Sequence, residues 1–143
     1  MKTPKIVCKV LIYDETTQEC LLIRRSATDP HRPNQWDIPG GSLEANESVE
    51  QAVVRETKEE VGLELNSRPV LVHAFSEAYD PPSQPDYVSW LFFVNIVASK
   101  PDVILSSEHN AFSWSSLIEA KTKIVYSRQQ RFIEYLLDLH ILD

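Results

Sequence analysis

Apolar positions along the chain fall in short runs divided by polar turns, and near the C-terminus the spacing changes to that of a helix. Ile6–Tyr13 is rich in β-branched residues and predicts a strand. Asp14–Glu19 is a polar turn and Cys20–Arg24 a second strand, so the two are expected to form a hairpin. Ser26–Asn34 carries Pro30 and Pro33 and reads as a loop, and Trp36–Leu43 as a short extended piece broken by Pro39-Gly40-Gly41. Pro69–Phe75 and Tyr87–Val97 are the next strands. The latter is apolar on both faces, which predicts an interior place in its sheet. Ala111–Trp114 predicts a short strand, and Ser115 or Ser116 caps a turn of helix. Arg128–Leu139 is spaced as an amphipathic helix with Phe132, Ile133, Leu136 and Leu137 inward.

One more helix is expected between the strand pairs. Ser48 is a good N-cap, and Gln51 three residues later completes a capping box. Gly62 suits the residue after the last turn, because glycine enters the left-handed conformation at little cost. A helix of roughly 13 residues fits between them. Successive residues turn by about 100°, which puts Val49, Ala52, Val53, Glu56, Glu59 and Glu60 on one lane. Val54 and Val61 mark a second apolar lane, so the helix is expected to be sandwiched. Strands interspersed with two helices predict an α/β fold with a mixed sheet covered on both faces, an α/β/α sandwich.

Composition narrows the class. The 143 residues suit one domain spanning 1–143, 43% apolar and 24% charged. A net charge of −7 argues against a nucleic-acid surface. No apolar run approaches the roughly 18 residues of a membrane span, and the N-terminus is not that of a signal peptide, so a cytoplasmic protein is expected. Cys8 and Cys20 lie in strand-like runs and read as small buried residues. Lys2, Lys5 and Lys9 read as solubilising charges. Trp36, Trp90 and Trp114 read as core, with Trp36 beside the Pro-Gly-Gly turn the best candidate for stacking on a substrate.

The acidic helix carries the chemistry. Three carboxylates at its C-terminal half repel one another and face the negative end of the helix dipole, which a bound divalent cation would relieve. Oxygen ligands suit Mg²⁺ or Mn²⁺. Gly41, five residues, Glu47, seven residues, then Arg55-Glu56-Thr57-Lys58-Glu59-Glu60-Val61-Gly62-Leu63 resembles the signature of the Nudix hydrolases. Thr57 departs from it, since the family prefers an aliphatic residue there. Leu22-Ile23-Arg24-Arg25 followed by Trp36-Asp37-Ile38-Pro39-Gly40-Gly41 resembles the MutT branch.

The resemblance implies a Nudix fold and a metal-dependent hydrolase of small nucleotides, in which water attacks phosphorus and a diphosphate linkage breaks. A nucleoside triphosphate or related diphosphate derivative is the leading reading, with ADP-ribose or nucleotide-sugar cleavage and a non-catalytic nucleotide-sensing module as alternatives, and monomer and homodimer both open. By position, Glu56 and Glu60 are metal ligands, with Glu59 adjacent and the Gly40 carbonyl as a backbone ligand. Arg55 is expected to bridge to Glu47 or Glu59 and fix the carboxylates. Arg24 or Arg25 contacts substrate phosphate. Glu108, in the polar loop Ser106–Asn110, is the candidate proton acceptor, with Glu77 its rival. In MutT an asparagine near the start of the last helix reads oxidised guanine, whereas this chain has Tyr126-Ser127-Arg128-Gln129 there. The proline-rich loop Tyr79–Asp86 is a candidate pocket wall.

Overall fold

A computed structural model describes residues 4–78 and 87–142, so the loop Tyr79–Asp86 lies outside the described residues. The elements run β1 (Lys5–Asp14), β2 (Glu19–Arg25), β3 (Trp36–Asp37), β4 (Gly40–Ser42), α1 (Val49–Val61), β5 (Val70–Ala78), β6 (Tyr87–Val97), β7 (His109–Ser115), α2 (Leu117–Lys123) and α3 (Ser127–Asp138). Among the described residues there are three helices, the two expected ones and α2, which extends the turn of helix expected after Ser115 or Ser116 and is capped by Ser116. The seven strands among the described residues make one mixed sheet whose main path is β3-β2-β1-β6-β5. β1 and β6 are parallel over their full common length, and the other pairings are antiparallel. β6 is interior, between β1 and β5, as its two apolar faces require.

β1 and β2 pair only at Tyr13–Cys20 and Asp14–Glu19, and then part. Into the fork goes the Pro-Gly-Gly segment. β3 pairs with β2, β4 pairs with β1 from Val7 to Lys9, and Val10 N donates to Pro39 O at 2.9 Å. The sequence placed a break here; the structure makes the two glycines a strand, because the open edge of β1 supplies partners.

Strand alternation divides the core into two layers. Cys8, Val10, Ile12, Leu21, Ile23 and Phe93 pack with Ala52, Val53 and Val61 of α1. Leu11, Leu22, Phe92 and Val94 pack on the other face with Leu117, Ala120, Phe132, Ile133 and Leu136 of α2 and α3. No helix among the described residues is long and apolar enough to cross a membrane.

α1 has the predicted ends. The Ser48–Gln51 capping box is complete, and Gly62 closes the helix at φ 70°. Its faces differ from expectation. Val54 is 45% exposed, so only one side of the helix is covered. Thr57 is fully buried, and its hydroxyl donates to Val53 O at 2.7 Å, which satisfies the polar atom inside the helix itself.

Candidate active site

The inner face of α1 turns acidic where it meets β4. Glu60 is 5% exposed, and Gly40 N donates to its Oε1 at 2.9 Å. A Cβ on Gly41 would stand 2.4 Å from Glu56 Oε1, so only glycine lets that carboxylate close on the strand. Gly40 has φ 142°, and a Cβ there would meet Cys8 O at 2.2 Å. The glycine pair is therefore dictated by close packing of β4 between β1 and the helix carboxylates. Glu59 stands at the outer edge of the predicted lane, its side chain 58% exposed.

Arg55 ties the acidic groups together. Its Nε and Nη2 donate to the two oxygens of Glu47 at 2.7 and 3.0 Å. Nη1 donates to Glu56 at 3.0 Å and to Glu59 at 3.3 Å, and Nη2 also donates to Ser42 O at 3.2 Å. The guanidinium pKa is raised, chiefly by the hydrogen bond with Glu47, and the same bond is the main cause holding the Glu47 carboxyl below its usual range.

Burial pushes the Glu60 carboxyl up to about 8, with Glu56 adding and Lys9 and Gly40 N opposing. His109 Nε2 lies 3.5 Å from Glu60 Oε2. Burial, aided by Arg25 and Lys9, pulls that imidazole down to about 4, so it is neutral at physiological pH. The sequence reading missed His109, whose only signal was a place beside a strand later found to begin at it.

Lys9 overturns its reading as a surface charge. It is 4% exposed, donates to Asp37 Oδ2 at 2.8 Å and to Ile38 O at 3.3 Å, and so fastens β1 to the turn before Gly40. Gln129 Nε2 of α3 donates to the other Asp37 oxygen at 2.9 Å. A lysine in phase with inward Val7 and Leu11 was the available sign.

Two compartments flank β4. On the α1 side, a cleft of about 280 Å³ is lined by Arg55, Glu56, Glu59, Glu60 and Glu108, with Glu44, Ser106 and Ser107. The loop carrying Glu108 is pinned to the end of α1, where Ile104 N donates to Val61 O and Ser106 N to Glu60 O. Glu77 is not on this cleft; it pairs with Arg128. On the α3 side is a basic pocket of about 300 Å³ that reaches Gly40, Gly41 and Ser42 from behind and includes Arg25. Arg24 lies elsewhere, bonded to Asn110 Oδ1 at 2.8 Å. Trp36 does not line the pocket either, its ring being flanked by Arg24 at 5.6 Å and Lys123 at 5.4 Å. All three tryptophans are half-buried.

Among the described residues no three His, Cys, Asp or Glu side chains converge closely enough to hold an ion as they stand, since Arg55 draws Glu56 and Glu59 to itself. The donor chemistry nevertheless fits a hard divalent cation. It is all oxygen, and the buried Glu60 beside Glu56 retains a proton at neutral pH that a cation would displace.

The comparisons with known proteins agree with this arrangement. The NUDIX domain matches residues 3–136. Nucleoside triphosphatase NudI of Klebsiella pneumoniae (strain 342) is 28% identical over 80% of this chain and 82% of its own. The 8-oxo-dGTP diphosphatase of Escherichia coli (strain K12) is 51% identical over 43 residues, 30% of this chain. The chain spans a third or less of two curated relatives it matches: 33% of that diphosphatase and 29% of an octanoyltransferase of Myxococcus xanthus, which is 36% identical over 74% of this chain. Among solved structures, a MutT protein from Methanosarcina mazei Go1 superposes with a TM-score of 0.79 at 28% identity, covering 97% of this chain and 96% of that one. With the glycine-backed carboxylates and the sheet fork both in place, the chain belongs to the Nudix family.

Proposed function

We propose that the protein cleaves the diphosphate linkage of a nucleoside triphosphate, releasing nucleoside monophosphate and pyrophosphate, with Mg²⁺ or Mn²⁺ as its cofactor. The observation that carries this reading is the pair of compartments of opposite sign on the two sides of β4. A phosphate chain lying over Gly40–Ser42 meets cations from one side and metal-binding carboxylates from the other. The similarity to nucleoside triphosphatase NudI over most of both chains supports the same substrate class.

Glu56, Glu60, Glu59 and the Gly40 carbonyl would hold the metal, which when bound neutralises charge developing on the phosphate oxygens. Arg55, locked on Glu47, keeps Glu56 and Glu59 turned toward the cleft. Glu108 lines the same cleft from a separate loop and accepts the proton of the attacking water, free of the guanidinium that occupies the helix carboxylates. Arg25 binds a phosphate oxygen; its Nε is a buried donor with no acceptor among the described residues.

The test is a panel of nucleoside triphosphates, ADP-ribose and nucleotide sugars with each metal, products resolved as pyrophosphate, orthophosphate or sugar phosphate. Pyrophosphate release from triphosphates is expected. Turnover confined to ADP-ribose or sugar derivatives would replace this reading, and no turnover of any member would end it.

A further inference from the structure

The pocket behind β4 is unusual for a chain of net charge −7. Five cations, Lys5, Lys9, Arg25, Arg32 and Arg128, line it, and no carboxylate does among the described residues. Three of the five have internal counter-charges: Lys9 with Asp37, Arg128 with Glu77, and Arg25 with Asp29 at 3.4 Å. Lys5 and Arg32 form no ion pair among the described residues; Arg32 lies over the Tyr126 ring at 4.7 Å. The lining also has two buried side-chain atoms without a partner among the described residues, Arg25 Nε and Trp90 Nε1, and both are N–H donors. Orphaned donors beside unpaired positive charge call for acceptor oxygens on an anion. The floor is apolar, with Val7, Val88 and Trp90. Such a floor suits a base and sugar, and such a rim suits a charged group attached to them.

We propose that this pocket binds a phosphate outside the scissile linkage, carried on the ribose. Favoured substrates are then nucleoside 5′-polyphosphates or diphosphate derivatives bearing a further ribose phosphate. This rests on the reading that the scissile diphosphate lies over β4 at the carboxylate cleft. Arg32 and Lys5 are the specificity residues, since neither forms an ion pair among the described residues. Trp90 Nε1 supplies the inner donor, Arg25 Nε being committed to the scissile chain over β4.

The experiment has two arms that fail separately. Calorimetric binding to the whole protein in EDTA compares AMP with adenosine 2′,5′- and 3′,5′-bisphosphates. One bisphosphate is expected to bind at least ~10-fold more tightly, the worth of one charge-assisted hydrogen bond to a phosphate. In Arg32→Ala and Lys5→Ala the ratio should fall toward one; both residues are exposed, so the fold is retained. Equal binding of AMP and both bisphosphates overturns the proposal, whatever the enzyme hydrolyses. The second arm compares kcat/KM with Mg²⁺ for ATP, its 3′-phosphate and adenosine tetraphosphate. A gain with the 3′-phosphate supports the proposal, or with the 2′-phosphate if that bisphosphate bound more tightly. A gain only with the longer chain overturns it. Loss of all turnover with the binding ratio intact would remove the hydrolase reading and leave the pocket assignment standing.

Discussion

Lys9 and Asp37 form an ion pair of 2.8 Å inside the protein, one on the central strand and the other two residues before Pro39. The pair sits at the base of the fork that receives β4, and the Lys9 ammonium also holds the carbonyl of Ile38. Lys9→Met leaves a buried carboxylate without its cation and should cost about 3–5 kcal/mol. Lys9→Met with Asp37→Asn should cost less than the single change, because the uncompensated charge is gone. Urea unfolding of the three proteins measures this, and a single variant within about 1 kcal/mol of wild type, the range of a surface pair, would refute it.

Arg55→Ala should lower kcat by about 10- to 100-fold while leaving the melting temperature close to wild type. Arg55→Lys should rescue little, since an ammonium cannot reproduce the two-point bond to Glu47. Steady-state kinetics beside thermal denaturation separates the two effects; a wild-type kcat in the alanine variant would show that the bridge is only structural.

Gly41→Ala puts a methyl group where Glu56 now lies, 2.4 Å from Oε1. We expect the carboxylate to be displaced and apparent metal affinity to fall by about 10- to 100-fold, as when a ligand's support is lost. Circular dichroism should stay native. Unaltered activation by Mg²⁺ would mean that Glu56 yields without consequence.

EDTA should abolish hydrolysis and Mg²⁺ or Mn²⁺ should restore it. Glu60→Gln and Glu108→Gln should each reduce kcat by roughly 10²-fold or more, the usual worth of a ligand or general base. Only the first should also weaken metal binding. If Glu108→Gln is kinetically silent and Glu77→Gln is not, the proton acceptor is Glu77.

Burial pushes Cys8 to about 11 and Cys20 to about 12, from an ordinary 9.0. Both thiols should be inert to a disulfide reagent at pH 8 in the folded protein and react on unfolding. An acid whose folded pKa is raised stabilises the fold fully below its unfolded value. Stability from these two is therefore complete below pH 9.0 and is lost as pH rises through 11 and 12. Rapid labelling of the native protein at pH 8 would contradict this.

What could be read from the chain was what local chemistry decides. Ser48, Gln51 and Gly62 fix both ends of α1 within a few residues, and Tyr87–Val97 declares an interior strand by its own composition. Partners distant in sequence were not legible. Lys9 and Asp37 are 28 positions apart, and Asp37 and Gln129 are 92 apart, so their bonds exist only once the fork and α3 are assembled. The helical wheel placed Glu59 with Glu56 and Glu60 but could not tell which side of that lane the sheet covers. Pairing of Arg128 with Glu77 likewise required the docking of α3 on β5.

The insertion of β4 into the fork also dictates what the segment cannot accept. Along a strand successive residues serve opposite sides, so adding or deleting one residue between Asp37 and Gly41 would exchange those sides. Gly40 would no longer offer its N–H to Glu60, and a residue with a side chain would stand against Glu56. A methyl group at Gly41 meets only the movable end of Glu56, whereas a change of length shifts every contact of the stretch at once. The segment acts as a fixed ruler between the ion pair at Lys9 and the carboxylates of α1, and its count of residues is itself part of the mechanism.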